Sequence, residues 1–165
     1  MSKKKYRTES ALNYIKAITS KGGEGYKEWG VYNESFYEDC FSEWLDIQPK
    51  VNGILYRGYQ VDKEFYRDYK VGEIIRQSDI YNLDFPSFTT SEMRAVLYIN
   101  DYEVYTAETK KVLFEVECVG KYAVDISKHS YYPEEKEHKF INDAKFEVVA
   151  VINKGTIERI KLKEV

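Results

Sequence analysis

The most informative feature of the sequence is a pair of glutamates in the segment Tyr131-Tyr132-Pro133-Glu134-Glu135-Lys136-Glu137. Glu135 and Glu137 are separated by one residue, after a proline-containing turn and at the start of a predicted strand. Alternate side chains of an extended chain point to the same face, so the two carboxylates are expected close together. Cleavage of a glycosidic bond through an oxocarbenium-like transition state uses such a pair. An isolated Glu-x-Glu is more often part of a solvated turn, so the neighbouring motifs have to support the interpretation.

The first of these motifs is Leu55-Tyr56-Arg57-Gly58, which places an arginine inside a predicted strand. A half-buried guanidinium needs an anion, and it can bind phosphate through two parallel hydrogen bonds. Gly58 beside it would let a flat ligand approach the backbone. Taken alone, an arginine at a sheet edge with its charged head in solvent is the commoner case.

The second motif is the hydroxyl run Thr89-Thr90-Ser91, where a predicted strand meets a predicted helix. On an extended segment Thr89 and Ser91 share one face, where hydroxyls can orient a carboxylate and bind a ribose. Serine and threonine are also ordinary helix caps and strand residues. The run therefore gains meaning only from its position between the other two motifs.

The length and charge of the chain limit its architecture and partners. It has 165 residues, 43% hydrophobic and 16% aromatic, which suits one well-buried core. We predict a single domain over residues 1–165, with residues 1–8 flexible. The net charge of −3 disfavours nucleic acid as a partner, because proteins that bind its backbone usually present a basic face.

The sequence carries no recognisable signal for export, membrane insertion or metal binding. The basic start of the chain, residues 1–7, is not followed by an apolar run, and no later stretch is long and apolar enough to span a membrane. We expect a cytoplasmic protein without a signal peptide or a membrane partner. Cys40 and Cys118 fall on a predicted helix and a predicted strand, and their spacing indicates neither a disulfide framework nor a metal site.

Hydrophobic spacing divides the chain into helices followed by strands. The glycine-rich stretch 21–25 is predicted as a loop. Helices are predicted over residues 9–19, 35–47 and 92–99. Strands are predicted over residues 53–61, 73–76, 87–90, 111–119, 122–126, 137–141, 146–152 and 156–162. This order indicates an α+β domain with a mostly antiparallel sheet.

Taken in order, the arginine, the hydroxyl run and the Glu-x-Glu pair resemble the Arg-Ser-Glu class of mono-ADP-ribosyltransferases, which includes clostridial-type toxins and phage-encoded enzymes. The resemblance runs from about Ile54 to Val149. It implies that family's fold, in which N-terminal helices precede a mostly antiparallel split sheet around an NAD cleft. The matching segments are Tyr56-Arg57-Gly58, Phe88-Thr89-Thr90-Ser91, Val112–Val116, Ser130–Glu137 and Phe146–Val149.

The resemblance also implies roles for individual residues. Arg57 would contact an NAD phosphate, and the backbone of Gly58 would hold the nicotinamide amide. Thr89 would help to orient Glu137, which would bond the ribose and stabilise the cation that forms as nicotinamide leaves. The expected NAD-binding residues are Arg57, Gly58, Thr89, Thr90, Ser91 and Glu137. The expected catalytic residues are Glu137, Glu135, Arg57 and Thr89.

The acceptor side follows from the same resemblance. Glu135 would position or deprotonate the acceptor, and a glutamate there, where other members carry glutamine, resembles the arginine-modifying branch. A protein arginine is therefore the expected acceptor, with Tyr131 and Tyr132 in contact with the target. NAD is expected as co-substrate, without a metal. The aromatic candidates to stack on nicotinamide are Tyr98, Tyr102, Tyr105 and Phe114.

Two places depart from the family's pattern. Thr89 stands where the first serine is usual, and His138-Lys139 replace the apolar pair that commonly follows the second glutamate. A charge in a strand expected to be buried makes its register less certain. We expect His138, and likewise His129, to be exposed.

Three functions remain open from the sequence. The leading hypothesis is an enzyme that transfers ADP-ribose from NAD to a protein arginine, such as a phage-encoded modifier of host machinery that works in the host cytoplasm. The second is a protein that keeps the fold and inhibits its target by binding alone. The third is ADP-ribosylation of nucleic acid or of a small molecule.

Overall fold

The first part of the chain forms three helices. We describe a computed structural model that covers residues 2–20, 24–31, 33–80, 86–100 and 108–165. Helix α1 spans Lys3–Ile18, α2 spans Glu24–Glu28 and α3 spans Glu34–Ile47. Residues 3–8, which we expected to be flexible, are helical, because the Ser2 side chain caps α1 by accepting the backbone N–H of Lys5 at 3.2 Å.

The short helix α2 lies partly in the stretch predicted as a loop. A helix of five residues presents too few apolar positions for its periodicity to be recognised. It packs on α1, and the backbone N–H of Gly25 donates to Ser20 Oγ at 2.9 Å.

Helices α1 and α3 share an apolar cluster with the strand that follows residue 122. Tyr14 of α1 lies against Phe41 of α3, with ring centroids 5.5 Å apart. Ile15 and Leu45 are fully buried in the same cluster, which Val124 joins from the sheet side. Burial of each such side chain contributes about 1.5–3 kcal/mol, so the helical layer is fixed to the sheet chiefly by apolar contact.

The described residues form eight strands in one sheet, and the predicted strand boundaries are correct to within two residues. The order across the sheet is β2-β7-β8-β4-β1-β3-β6-β5, and among these strands only β4 and β8 are parallel neighbours. The strands are β1 Asn52–Asp62, β2 Ile74–Arg76, β3 Phe88–Thr89, β4 Thr109–Val119, β5 Ala123–Asp125, β6 Glu137–Phe140, β7 Lys145–Lys154 and β8 Ile157–Glu164.

The sheet is narrowest at β3, which is only two residues long. It joins β1 through one paired position and β6 through two. On one face of the sheet, Phe140 contacts Phe88 and Phe146 edge-on, with centroids 4.8 and 4.9 Å apart. This aromatic core holds the two parts of the sheet together where their backbone pairing is weakest.

Two further helices follow β2 and β3. Helix α4 spans Gln77–Ile80, and α5 spans Glu92–Asn100, against a prediction of 92–99. Helix α5 packs on β1 and β4 through Ala95, Ile99 and Leu113, on the face opposite the aromatic core. Cys40 and Cys118 are buried, free thiols on α3 and β4, as the sequence predicted. None of the helices in the described ranges is long and apolar enough to cross a membrane.

Candidate active site

Strand pairing brings the three sequence motifs side by side. Thr89 of β3 is paired with Tyr56 of β1 on one side and with Glu137 of β6 on the other. Neighbouring strands lie about 4.8 Å apart, so the motifs meet within one short row across the sheet. Segments separated by about thirty to fifty residues in the chain therefore form one site.

A cavity opens at this row. Its enclosed part has a volume of about 40 Å³. That is more than one water molecule needs, roughly 10–15 Å³, and well below the ~300–1,000 Å³ of a typical ligand pocket. Residues 81–85 and 101–107, which adjoin the site in sequence, are outside the described ranges. The lining residues are Tyr56, Arg57, Gly58, Ser87, Phe88, Thr89, Tyr98, Glu135 and Glu137.

Arg57 is held from within the sheet. Strand β1 lies between β4 and β3, so the alternative of an arginine at a sheet edge is wrong. Its Nη1 donates a hydrogen bond to the backbone carbonyl of Ser87 at 3.0 Å. This contact fixes the guanidinium at the cavity, where it can meet an anionic ligand.

Gly58 has a different local role from the one expected. A β-carbon at this position would lie 2.0 Å from the carbonyl oxygen of Ala95 in α5. The space that the missing side chain leaves is therefore filled by the helix and is not left open for a ligand. The backbone of Gly58 still lines the cavity.

Glu137 is almost completely buried, with 8% of its surface exposed. Its Oε2 lies 3.4 Å from the ammonium nitrogen of Lys139, which is itself only 3% exposed. The Lys139 ammonium also donates to Ser87 Oγ at 2.9 Å. Burial lowers the pKa of Lys139, the Glu137 carboxylate opposes that change, and the Arg57 charge adds to it.

Strand β6 corrects the expectation for His138. We expected an exposed histidine, but the residue is only 5% exposed, on the face of β6 that also carries the core residue Phe140. Its Nδ1 lies 2.8 Å from the carbonyl oxygen of Lys136 and donates to it, since a carbonyl only accepts. The pairing of β6 with β3 and β5 defines its register, in which Glu137 and Lys139 share one face and Glu137 lines the cavity.

His129 is also not fully exposed. Its ring packs edge-on against Trp44 of α3, with centroids 5.6 Å apart. Burial, followed by the charges of Lys128 and Lys16, lowers the pKa of His129. It belongs to the contact between the helices and the turn before the two glutamates.

The hydroxyl of Thr89 holds the turn that carries the glutamates. It donates to the backbone carbonyl of Glu135 at 3.0 Å and accepts the N–H of Ser91 at 3.2 Å. The expected partner was the side chain of Glu137, so the contact shown is with the neighbouring backbone. Lys136, between the glutamates, has a left-handed conformation with φ of 50°, which only a firmly held turn sustains.

The remaining predicted residues lie outside the described cavity. Thr90 is exposed, while Ser91 Oγ accepts the N–H of Arg94 at 3.2 Å and so caps α5. Tyr131 and Tyr132 pack edge-on against each other, with centroids 4.9 Å apart, before the glutamate turn. Their contact with a target remains a prediction.

The structure distinguishes between the aromatic residues expected as candidates to stack on nicotinamide. Tyr98 of α5 lines the cavity, and burial, with a further contribution from Glu135, raises its pKa to about 12. Phe114 is buried in the core and stacked on Tyr59 at 5.6 Å, so it cannot meet a ligand in the cavity. Tyr102 and Tyr105 lie outside the described residues.

Sequence reasoning missed Ser87 and Lys139. Ser87 lies two residues before Thr89, just ahead of β3. Lys139 lies two residues after Glu137, within β6. The two-residue period that singled out the glutamates could have added both.

Solved structures with the same fold are ADP-ribosyltransferases. Vis toxin, an ADP-ribosyltransferase from Vibrio splendidus, has a TM-score of 0.65 and 20% identity over 100% of this chain and 74% of its own. The eucaryotic mono-ADP-ribosyltransferase ART2.2 has a TM-score of 0.58 and 16% identity, over 96% and 66%. HopU1 of Pseudomonas syringae pv. Tomato DC3000 has a TM-score of 0.57 and 17% identity, over 93% and 64%.

No protein-family model and no curated protein matches the sequence. At such low identities the structural likeness concerns the fold. The chain has the mono-ADP-ribosyltransferase fold, and the fold predicted from the ordered motifs is confirmed.

Proposed function

We propose that this protein is an NAD-dependent mono-ADP-ribosyltransferase that transfers ADP-ribose to a protein arginine and releases nicotinamide. The observation that carries the proposal is the row of Tyr56, Thr89 and Glu137 across three strands. Arg57 and Glu135 line the same cavity. The row and the cavity beside it thus bring together one cation, Arg57, and two carboxylates, Glu135 and Glu137.

The residues fit NAD chemically. The guanidinium of Arg57 suits a pyrophosphate oxygen. Glu137 lines the cavity, and its buried Oε2 has an ion pair with Lys139 at 3.4 Å. A carboxylate has acceptor sites for several hydrogen bonds, so that of Glu137 can also accept one from a ribose hydroxyl. The backbone of Gly58 lines the same cavity, where we place the nicotinamide amide.

The chemistry divides between the two glutamates. Nicotinamide leaves with the electron pair of the glycosidic bond, and the ribose carries the positive charge that remains. The buried carboxylate of Glu137 stabilises that charge more strongly than it could in water. Glu135 is half-buried beside it and would orient the acceptor nitrogen and take its proton as the new bond forms.

Arginine is the proposed acceptor because a carboxylate pairs in a forked geometry with a guanidinium. Vis has been solved in complex with agmatine, a guanidinium compound. The net charge of −3 favours a protein acceptor over nucleic acid. Tyr131 and Tyr132, next to the glutamate turn, are the proposed contacts with the target protein.

The experiment compares wild type with Glu135→Gln on labelled NAD, with agmatine as a small acceptor and a cell lysate as a source of proteins. We expect Glu135→Gln to keep NAD cleavage while losing transfer, since Glu137 is untouched. Mass spectrometry of the labelled product identifies the acceptor side chain. Labelled nucleic acid, or a modified residue other than arginine, would contradict the proposed acceptor.

A second candidate is a protein that keeps the fold and inhibits its target by binding. The small enclosed volume of about 40 Å³ is the observation in its favour. It predicts that Glu137→Gln retains full biological effect. The origin as a phage-encoded modifier acting in a host cytoplasm stays a hypothesis from the family resemblance.

A further inference from the structure

We propose that Lys139 is a positioning residue for this reaction, whose ammonium group holds the Glu137 carboxylate in place at the cavity. This inference rests on the proposed function. It concerns a position where the sequence departs from the apolar residue common in the family.

Lys139 is connected to both ends of the site. On β6 it follows Glu137 by two residues, and its Nζ lies 3.4 Å from Glu137 Oε2. The same nitrogen donates to Ser87 Oγ at 2.9 Å, and the carbonyl of Ser87 accepts from Arg57 Nη1 at 3.0 Å. A continuous series of contacts thus runs from Arg57 through Ser87 and Lys139 to Glu137.

The position of Lys139 separates its role from that of a substrate-contacting residue. Glu137 lines the cavity, whereas Lys139 is not among the lining residues described and is 3% exposed. It therefore reaches the reacting atoms through Glu137. A structural lysine would satisfy packing alone, but this side chain places its charge at the one carboxylate that faces the developing cation.

The charge balance explains why a buried cation is useful here. A buried carboxylate needs an opposite charge or hydrogen-bond donors beside it, and an ammonium group supplies both. The ion pair also fixes the direction of the carboxylate, and a carboxylate aimed at the ribose stabilises the oxocarbenium ion. Besides Glu137, the titratable or charged residues that line the cavity are Tyr56 and Arg57 on β1, Tyr98 on α5 and Glu135 on the turn before β6.

The kinetic test uses three variants in the full chain. Lys139→Met keeps the length of the side chain and removes the charge, Lys139→Arg keeps the charge, and Lys145→Met makes the same change at an exposed position on β7. We expect Lys139→Met to lower kcat for NAD cleavage by about tenfold or more at neutral pH, with KM changed less than about threefold.

Of the two other variants, Lys139→Arg tests whether restoring the charge restores activity, and Lys145→Met is the control. Lys139→Arg should recover part of the lost kcat, and Lys145→Met should match wild type. A Lys139→Met enzyme with unchanged kcat and KM, but a lower melting temperature, would reduce Lys139 to a packing residue and overturn the inference.

A second measurement needs no NAD. NMR of the Lys139 methylene next to the ammonium reports its titration in wild type and in Glu137→Gln. Because Glu137 opposes the lowering of the Lys139 pKa, the midpoint should fall further in the variant. An unchanged midpoint, or a lysine already neutral at pH 7 in wild type, would refute the pairing. A Lys139 midpoint that shifts in Glu137→Gln, in a protein that does not cleave NAD, would refute the proposed function. NAD cleavage by a protein whose Lys139 midpoint does not shift would refute the role of Lys139 alone.

Discussion

The close approach of α5 to β1 makes Gly58→Ala an informative perturbation. The added β-carbon would lie 2.0 Å from the carbonyl oxygen of Ala95 and 2.7 Å from Cγ1 of Ile99. Real β-carbons stay beyond 3.0 Å, so the helix has to retreat by about 1 Å. The oxygen belongs to the backbone and cannot rotate away, so we expect a loss at the upper end of overpacking effects, about 3 kcal/mol.

The assay is urea unfolding followed by tryptophan fluorescence, and Gly72→Ala is the matched control. Gly72 has φ of +91° with no atom within 4 Å of the added carbon, so its substitution costs only conformational strain, about 1 kcal/mol. Gly58→Ala differs in its cause, because the added carbon clashes with α5 while φ at Gly58 is not positive. A free energy of unfolding within about 0.5 kcal/mol of wild type for Gly58→Ala would refute the reasoning.

Three further predictions concern single contacts. Glu164 accepts the backbone N–H groups of Val119, Lys121 and Tyr122 at 2.6–3.3 Å, so Glu164→Gln should destabilise the protein by about 1–3 kcal/mol in the same unfolding assay. Burial raises the pKa of Cys118 from 9.0 to about 12. The free energy of unfolding that this shift contributes is therefore complete below pH 9 and is lost as the pH rises towards 12. The unfolding free energy of Cys118→Ala should therefore fall less steeply over that range. Thr89→Val removes the donor to the Glu135 carbonyl and should slow transfer about tenfold, whereas Thr89→Ser should stay within about threefold of wild type.

Much of the fold was predictable because its signals are local. The alternation of apolar and polar residues in most of the strands helped to locate all eight to within two residues. The start of α1 was missed because residues 3–8 are mostly polar and carry no apolar period; the cap at Ser2 is the signal that marks it. The five-residue helix α2 is too short for any period to develop.

The site was predictable as far as its residues recur in an ordered pattern. Arg57, Thr89, Glu135 and Glu137 were each identified from the sequence, and they line one cavity. The partners of these residues depend on which strands pair, which no local pattern determines. The burial of His138, for example, depends on what packs against its face of β6, which it shares with the core residue Phe140.

The same limit applies to Gly58. Its sequence context indicated room for a ligand, while the structure fills that room with α5, an element more than thirty residues later in the chain. Only the packing of that helix on β1 reveals why the position has no side chain.

The most direct measurement of the central claim is release of nicotinamide from NAD by purified wild type and by Glu137→Gln, alongside transfer of labelled ADP-ribose to lysate proteins. Glutamine keeps the shape of the side chain and removes the charge that stabilises the ribosyl cation. We expect cleavage and labelling in wild type, with both reduced about a hundredfold or more in the variant. Equal nicotinamide release by the two proteins would contradict the assignment of the cleft to ADP-ribose transfer.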